Sequence, residues 1–163
     1  MTESSQRTIG KEVTLAGTGV HSGESATITL RPGNVGTGIR FRRLDLEGRP
    51  EIPATLSHVV GTELGTSLAS GDAQVNTVEH VMAALAVAQI DNVLIDLDGL
   101  EVPIRDGSFQ DYVHALRDAG VESQGVKPRV VRVKGEVTTT GRDGQSYVAT
   151  TSPGLTVVAS IAF

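Results

Sequence analysis

The chain has 163 residues and a formal net charge of −5, with 39% apolar and 20% charged residues, as in an ordinary globular protein. The acidic balance argues against a nucleic-acid partner, because nucleic-acid-binding domains usually carry a basic surface. The sequence contains no cysteine, so disulfide bonds and thiolate metal sites are excluded within it.

The first third of the chain reads as β-strands separated by turns. Apolar and polar residues alternate in 12–17, 24–32 and 38–43, as they do in strands with one buried face. The following segment, 54–75, has no clear pattern beyond a possible short strand before its final turn. The sequence therefore predicts a sheet in the N-terminal part of the chain.

Two helices are predicted in the middle of the chain, over 77–88 and 108–119, where apolar residues recur at helical spacing. Between them, 91–97 reads as a strand, and Asp98–Gly99 is a typical hairpin turn before a return strand over 100–104. These elements predict an α+β fold, in which a mostly antiparallel sheet is covered by two helices in a two-layer domain. The predicted apolar faces are formed by Val78, Val81, Met82 and Leu85 in the first helix and by Phe109, Tyr112, Val113 and Leu116 in the second.

The last part of the chain has strand patterns only. Residues 121–129 read as a linker, and the remainder reads as three strands, over 130–140, 146–150 and 155–163, with no helix to cover them. We therefore expect a first α+β domain over 1–125 and the three-strand start of an incomplete second domain over 126–163.

Glu79 and His80 stand side by side in the first turn of the first predicted helix. Glu79 fits a structural role, because Asn76 and Glu79 have the spacing of a capping box. The pair also fits a metal-hydrolase site, in which a neutral imidazole binds zinc and a carboxylate takes a proton from water. From these residues alone the structural role is favoured, since a catalytic zinc needs three protein ligands and only His80 can be named.

One feature of the same helix favours a functional interpretation of His80. Its side of the helix also carries Ala84 and Val87, so the helix is apolar on two faces. A helix of this kind is expected to be buried on both faces. The sequence therefore predicts that a further layer packs against it.

Four motifs in order carry a family resemblance. They are GTGVHSGESATITLRP (17–32), GTELGTSL (61–68), TVEHVMAALAVAQIDNVLIDLDGLEVPIRDGS (77–108) and RVVRVKGEV (129–137). Together they resemble the UDP-3-O-acyl-N-acetylglucosamine deacetylases, the zinc enzymes of lipid A biosynthesis. The resemblance extends over nearly the whole chain, from about Gln6 to Phe163.

The resemblance implies a fold and a set of site residues. Members of this family consist of two similar α+β domains packed helix against helix around the active site. By resemblance, His80 is a zinc ligand and Glu79 is the general base for the attacking water. His21 is then expected near the site, and Leu64 and Gly65 near the passage for the acyl chain. Ferrous iron could replace zinc, because imidazole and carboxylate ligands suit both ions.

The same resemblance implies that part of the site lies outside this sequence. The family's second domain supplies the other two zinc ligands, a general acid and a lysine near the substrate. We therefore expect this chain to supply the N-terminal half of a deacetylase acting on a UDP-linked acylated glucosamine, and to be inactive without the C-terminal half. The alternatives are a truncated, non-catalytic homologue that acts as a binding module, and a plain α+β binding domain in which Glu79 only caps a helix.

The sequence also predicts a location. It begins with no charged-then-apolar signal pattern, and none of its apolar runs approaches the length that spans a membrane. We therefore expect a soluble cytoplasmic protein without a transmembrane segment.

Overall fold

The structure is a computed structural model that describes residues 5–141 and 144–160. The chain divides after Pro128 into two compact units. Within its described residues, the first unit contains ten β-strands and two α-helices. The strands are β1 (Arg7–Ile9), β2 (Val13–Thr18), β3 (Ser25–Pro32), β4 (Ile39–Arg43), β5 (Glu51–Pro53), β6 (Val59–Gly61), β7 (Ser67–Ser70), β8 (Ala73–Val75), β9 (Val93–Leu97) and β10 (Val121–Ser123). The helices are α1 (Glu79–Ala88) and α2 (Gln110–Ala119).

A five-stranded sheet with the order β2-β3-β9-β4-β5 forms the centre of the first unit. All neighbouring strands in it are antiparallel except β4 and β9, which are parallel. In a strand with alternating apolar residues, every second side chain points into the core. In β3 these side chains are Ala26, Ile28 and Leu30. The structure thus confirms the predicted α+β fold with a mostly antiparallel sheet and two helices.

On the opposite face of the central sheet, two partly exposed arginines form ion pairs with one buried aspartate. Asp96 of β9 is only 3% exposed, and both of its carboxylate oxygens accept hydrogen bonds from arginines. Arg42 of β4 donates two, at 2.7 and 2.8 Å, and Arg31 of β3 donates one at 2.7 Å. Three adjacent strands are therefore joined by side chains as well as by their backbones.

Both predicted helices are present, and each begins two residues later than predicted. The two helices contact each other, and their buried faces join one core with the sheet. In α1 the predicted second apolar face is buried only in part, because Ala84 is fully buried whereas Val87 is 61% exposed. Neither helix of the described residues has the length and apolar character needed to cross a bilayer.

The hairpin predicted at Asp98–Gly99 is wrong. Both edges of β9 are already paired, with β3 on one side and β4 on the other, so no return strand can join it there. The chain after the turn instead pairs with the segment that precedes α1. Asn76 forms a parallel bridge with Glu101, and the Asn76 amide donates to the Leu100 carbonyl at 2.9 Å.

Two further elements differ from the sequence analysis. The segment without a clear pattern forms a three-stranded antiparallel sheet of β6, β7 and β8. The start of the predicted linker forms β10, which pairs antiparallel with β1. The linker interpretation is therefore wrong for Val121–Ser123, because this segment completes a second small sheet of the first unit.

The second unit contains two strands in its described residues, β11 (Val137–Thr140) and β12 (Ser146–Ala149), which form an antiparallel pair. The first predicted strand of this region is thus formed only over its last four residues. The last predicted strand has no regular structure over 155–160, and 161–163 lie outside the described residues. The described side chains of this unit are almost all exposed, so burial does not support a third strand there.

Candidate active site

Glu79 is the first residue of α1, and its side chain binds the loop before β7. Its Oε1 atom accepts a hydrogen bond from the Thr66 amide, while the Val78 amide donates to the Thr66 carbonyl at 3.4 Å. The predicted capping box is wrong, because Val78 occupies the N-cap position and no side chain caps the helix. The backbone of Asn76 is used instead in pairing with the segment around Glu101.

The carboxylate of Glu79 is charged at neutral pH. Partial burial raises its pKa, but hydrogen bonds from its own amide and from the amide and hydroxyl of Thr66 outweigh burial. The net effect is a pKa below the usual value for glutamate. Its place at a helix N-terminus also favours a negative charge there. Glu79 is therefore in the form that can accept a proton.

His80 is half-buried, and its ring is oriented by a backbone carbonyl. Its Nδ1 atom lies 3.3 Å from the Ser108 carbonyl oxygen. Because a carbonyl can only accept, we assign the proton of the neutral imidazole to Nδ1. The lone pair is then on Nε2, which is the arrangement of a metal-binding histidine whose other nitrogen is held by a carbonyl.

A cavity of about 460 Å³ lies beside the start of α1. It is lined by residues of three loops and two strands: His21, Val60, Gly61, Glu63, Leu64, Gly65, Ser67, Asn76 and Thr77. The structure thus brings His21 together with Leu64 and Gly65, which lie far from it in the sequence. Glu79 and His80 are not among the lining residues, but a Cβ atom on Gly65 would be only 3.6 Å from Glu79 Oε1.

The sequence analysis missed Glu101, a buried carboxylate that contacts two walls of this cavity. It is 4% exposed and accepts hydrogen bonds from the amides of His21 and Ser22 and from the Thr77 hydroxyl. Burial alone would raise its pKa, but these donors lower it to about 2. The only sequence signal for it was a charged residue inside the apolar segment of 100–104.

The described residues do not form a complete metal site. No group of three or more histidine, aspartate or glutamate side chains in this part of the chain is arranged to hold an ion. His80 fits as one ligand, through Nε2, and further ligands would have to come from elsewhere. The roles of Glu79, His80, His21, Leu64 and Gly65 stay predictions at this point.

Comparison with known proteins identifies the family. The profile of the UDP-3-O-acyl N-acetylglycosamine deacetylases matches residues 6–163. The chain belongs to this family. Deacetylases with the curated name UDP-3-O-acyl-N-acetylglucosamine deacetylase are similar to it over most of its length. That of Geobacter sp. strain M21 is 45% identical over 143 residues, which are 88% of this chain and 47% of that protein.

Two other relatives give the same result. The deacetylase of Chlamydia abortus is 48% identical over 133 residues, which are 82% of this chain and 47% of that protein. That of Thermosynechococcus vestitus is 43% identical over 144 residues, which are 88% of this chain and 50% of that protein. The chain thus spans about half the length of the curated relatives that it matches.

Proposed function

We propose that this chain supplies the N-terminal half of the active site of a zinc-dependent deacetylase. The enzyme would hydrolyse the 2-acetamido group of a UDP-linked, 3-O-acylated N-acetylglucosamine and release acetate, a step of lipid A biosynthesis. Family membership supports this reaction, and the names of the relatives describe it. The observation that carries the proposal is the position of Glu79 and His80 at the start of α1, beside the cavity lined by His21, Leu64 and Gly65.

His80 would be the metal ligand that this chain contributes. Its Nδ1 hydrogen bond to the Ser108 carbonyl fixes the ring and leaves Nε2 for the ion. A bound Zn²⁺, or Fe²⁺ in its place, supplies Lewis-acid polarisation of the amide carbonyl. The remaining ligands would come from the C-terminal half, and we therefore expect the chain to be inactive without it.

Glu79 would act as the general base. Its carboxylate is charged and is held in place by Thr66, so it can accept a proton from the water that attacks the amide carbon. Attack forms a tetrahedral carbon, and collapse of that carbon breaks the C–N bond and leaves the amine on the sugar. The proton that the leaving amine needs would come from a group outside this chain.

The cavity beside α1 would receive the substrate. His21 can donate or accept a hydrogen bond to the polar part of the substrate, and Leu64, at 79% exposed, offers an apolar contact for the acyl chain. We propose a cytoplasmic location for the enzyme, on the basis of the family to which the chain belongs.

The Glu79→Gln variant tests the proposed base. Gln has the shape of Glu but cannot take a proton, so we expect kcat of the full-length protein to fall by ~10²–10⁴-fold. Acetate release is the measurement, and circular dichroism checks that the variant is folded. The matched control is Asp111→Asn, which changes an acidic residue in the first turn of the other helix and should keep near-normal activity. Near-normal turnover by Glu79→Gln would remove Glu79 from the mechanism.

A non-catalytic binding module is the second candidate function. It is favoured by one observation, the lack of a group of three potential ligands in the described residues. Such a module would bind the nucleotide-linked lipid, or a partner, without chemistry. The Glu79→Gln comparison separates the two candidates. Acetate release by the wild type that is lost in Glu79→Gln indicates the deacetylase, whereas a binding module releases no acetate in either protein.

A further inference from the structure

Glu101 is a charged side chain in a place where charge is costly. It lies between Leu100 and Val102, is 4% exposed, and has no cationic partner among the ion pairs of the described residues. A buried carboxylate is stable only when hydrogen-bond donors replace the lost water. All the donors that surround Glu101 belong to residues at or beside the cavity.

The hydrogen bonds of Glu101 join two separate segments of the chain. Its Oε1 accepts from the His21 amide at 3.1 Å and from the Thr77 hydroxyl at 2.8 Å, and its Oε2 accepts from the Ser22 amide at 2.8 Å. His21 and Thr77 are both cavity-lining residues, on different walls. One carboxylate therefore links these two walls, in addition to the backbone pairing of Asn76 with the segment around Glu101.

Each of the two segments has an unusual backbone feature at this contact. Thr77 has a φ of +58°, which a β-branched residue rarely adopts, and its hydroxyl is bound to Glu101. Gly19 begins the turn that carries His21, and a Cβ atom there would lie 2.2 Å from Glu101 Oε2. Glycine at this position lets the turn approach the carboxylate closely enough for its amides to donate.

We infer that Glu101 is a positioning residue of the proposed deacetylase site. It holds the turn of His21 against the segment that leads into Glu79 and His80, so that the cavity and the catalytic pair keep a fixed geometry. This inference rests on the proposed function for its effect on the reaction. The positioning itself is a property of the 163-residue chain and can be tested without substrate.

Amide hydrogen exchange of the Glu101→Gln variant tests the positioning directly. Gln replaces one acceptor oxygen with an NH₂ group, so we expect the amide that faces this group, that of His21 or that of Ser22, to exchange about tenfold faster. Amides of β3, such as that of Leu30, should be unchanged. The matched control is Asp98→Asn, because Asp98 also accepts a backbone hydrogen bond, from Thr27 at 2.5 Å, but does not line the cavity.

Acetate release by full-length variants tests the consequence for the reaction. A displacement of about 1 Å at a catalytic group can cost ~10²-fold, so we expect kcat/KM of Glu101→Gln to fall by about that factor in folded protein. If that variant does not fold, Thr77→Ala and Thr77→Ser replace it. Serine keeps the hydroxyl that Glu101 binds, so Thr77→Ser should retain far more activity than Thr77→Ala.

The inference is overturned by unchanged exchange at His21 and Ser22 in Glu101→Gln. Activity of Glu101→Gln within about twofold of wild type, or equal activity of Thr77→Ala and Thr77→Ser, would also overturn it. If the wild-type full-length protein releases no acetate, the proposed function fails, and amide exchange still decides whether Glu101 holds the two walls.

Discussion

Two buried carboxylates of the first unit are each stabilised by a different set of donors. Asp96 accepts from the guanidinium groups of Arg31 and Arg42, whereas Glu101 accepts from backbone amides and the Thr77 hydroxyl. In both residues, burial raises the pKa of the carboxyl group. The hydrogen-bond donors lower this pKa by a larger amount, so that it lies below the ordinary value. Both residues are therefore charged in the folded protein at neutral pH.

The lowered pKa of Glu101 predicts loss of stability in acid. The folded pKa of about 2 lies below the unfolded value of 4.5, so the charged form stabilises the fold. This contribution is fully present above pH 4.5 and is lost as the pH falls towards 2. The shift corresponds to about 3 kcal/mol in the free energy of unfolding.

Urea unfolding at pH 7, 4 and 2.5 measures this effect. Glu101→Gln has no carboxylate to titrate, so its stability should change less between these pH values than that of the wild type. Equal pH dependence in the two proteins would contradict the assigned pKa of Glu101.

Residues of the site differ in how far the sequence predicts them. Glu79 and His80 are adjacent and stand in a motif, so the sequence singles them out as candidates. Glu101 lies in the same motif, but it has no chemical partner near it in the sequence, because His21 and Ser22 are 80 and 79 residues away. The contact between Glu101 and the turn of His21 and Ser22 forms only in the folded chain.

At the level of elements, helical spacing predicts α1 and α2 well, because their apolar stripes are needed to cover the sheet. The hairpin prediction failed because Asp-Gly is a local signal, and β9 is a central strand with both edges paired. The Asp98 carboxylate accepts from the Thr27 amide, which ties the turn to β3. Strand partners are a tertiary property that a dipeptide does not encode.

The packing of α1 gives a prediction at the same scale. Leu85 is fully buried between the helix and the core, so Leu85→Ala should lower the free energy of unfolding by ~2–5 kcal/mol. Val87 is on the exposed side of the same helix, and Val87→Ala should change the free energy of unfolding by less than about 0.5 kcal/mol. Urea unfolding of the 163-residue chain measures both, and similar losses in the two variants would contradict the burial pattern of α1.

At the level of the whole molecule, the chain spans about half of its relatives' length, and we propose that it contributes part of the active site. Its described residues supply one oriented imidazole, one charged carboxylate and a cavity lined by the residues that the family resemblance indicates. The sequence identified the family from its motifs. It could not predict the cavity, because that depends on how the sheet of β6, β7 and β8 meets the turn of His21.

The most direct measurement is acetate release from UDP-3-O-acyl-N-acetylglucosamine by the full-length wild-type protein, before and after removal of metal by a chelator. We expect acetate release that is lost on chelation and restored by added Zn²⁺. Acetate release that survives complete metal removal would contradict the role of His80 as a metal ligand. No release by the metal-loaded protein would contradict the proposed deacetylase function itself.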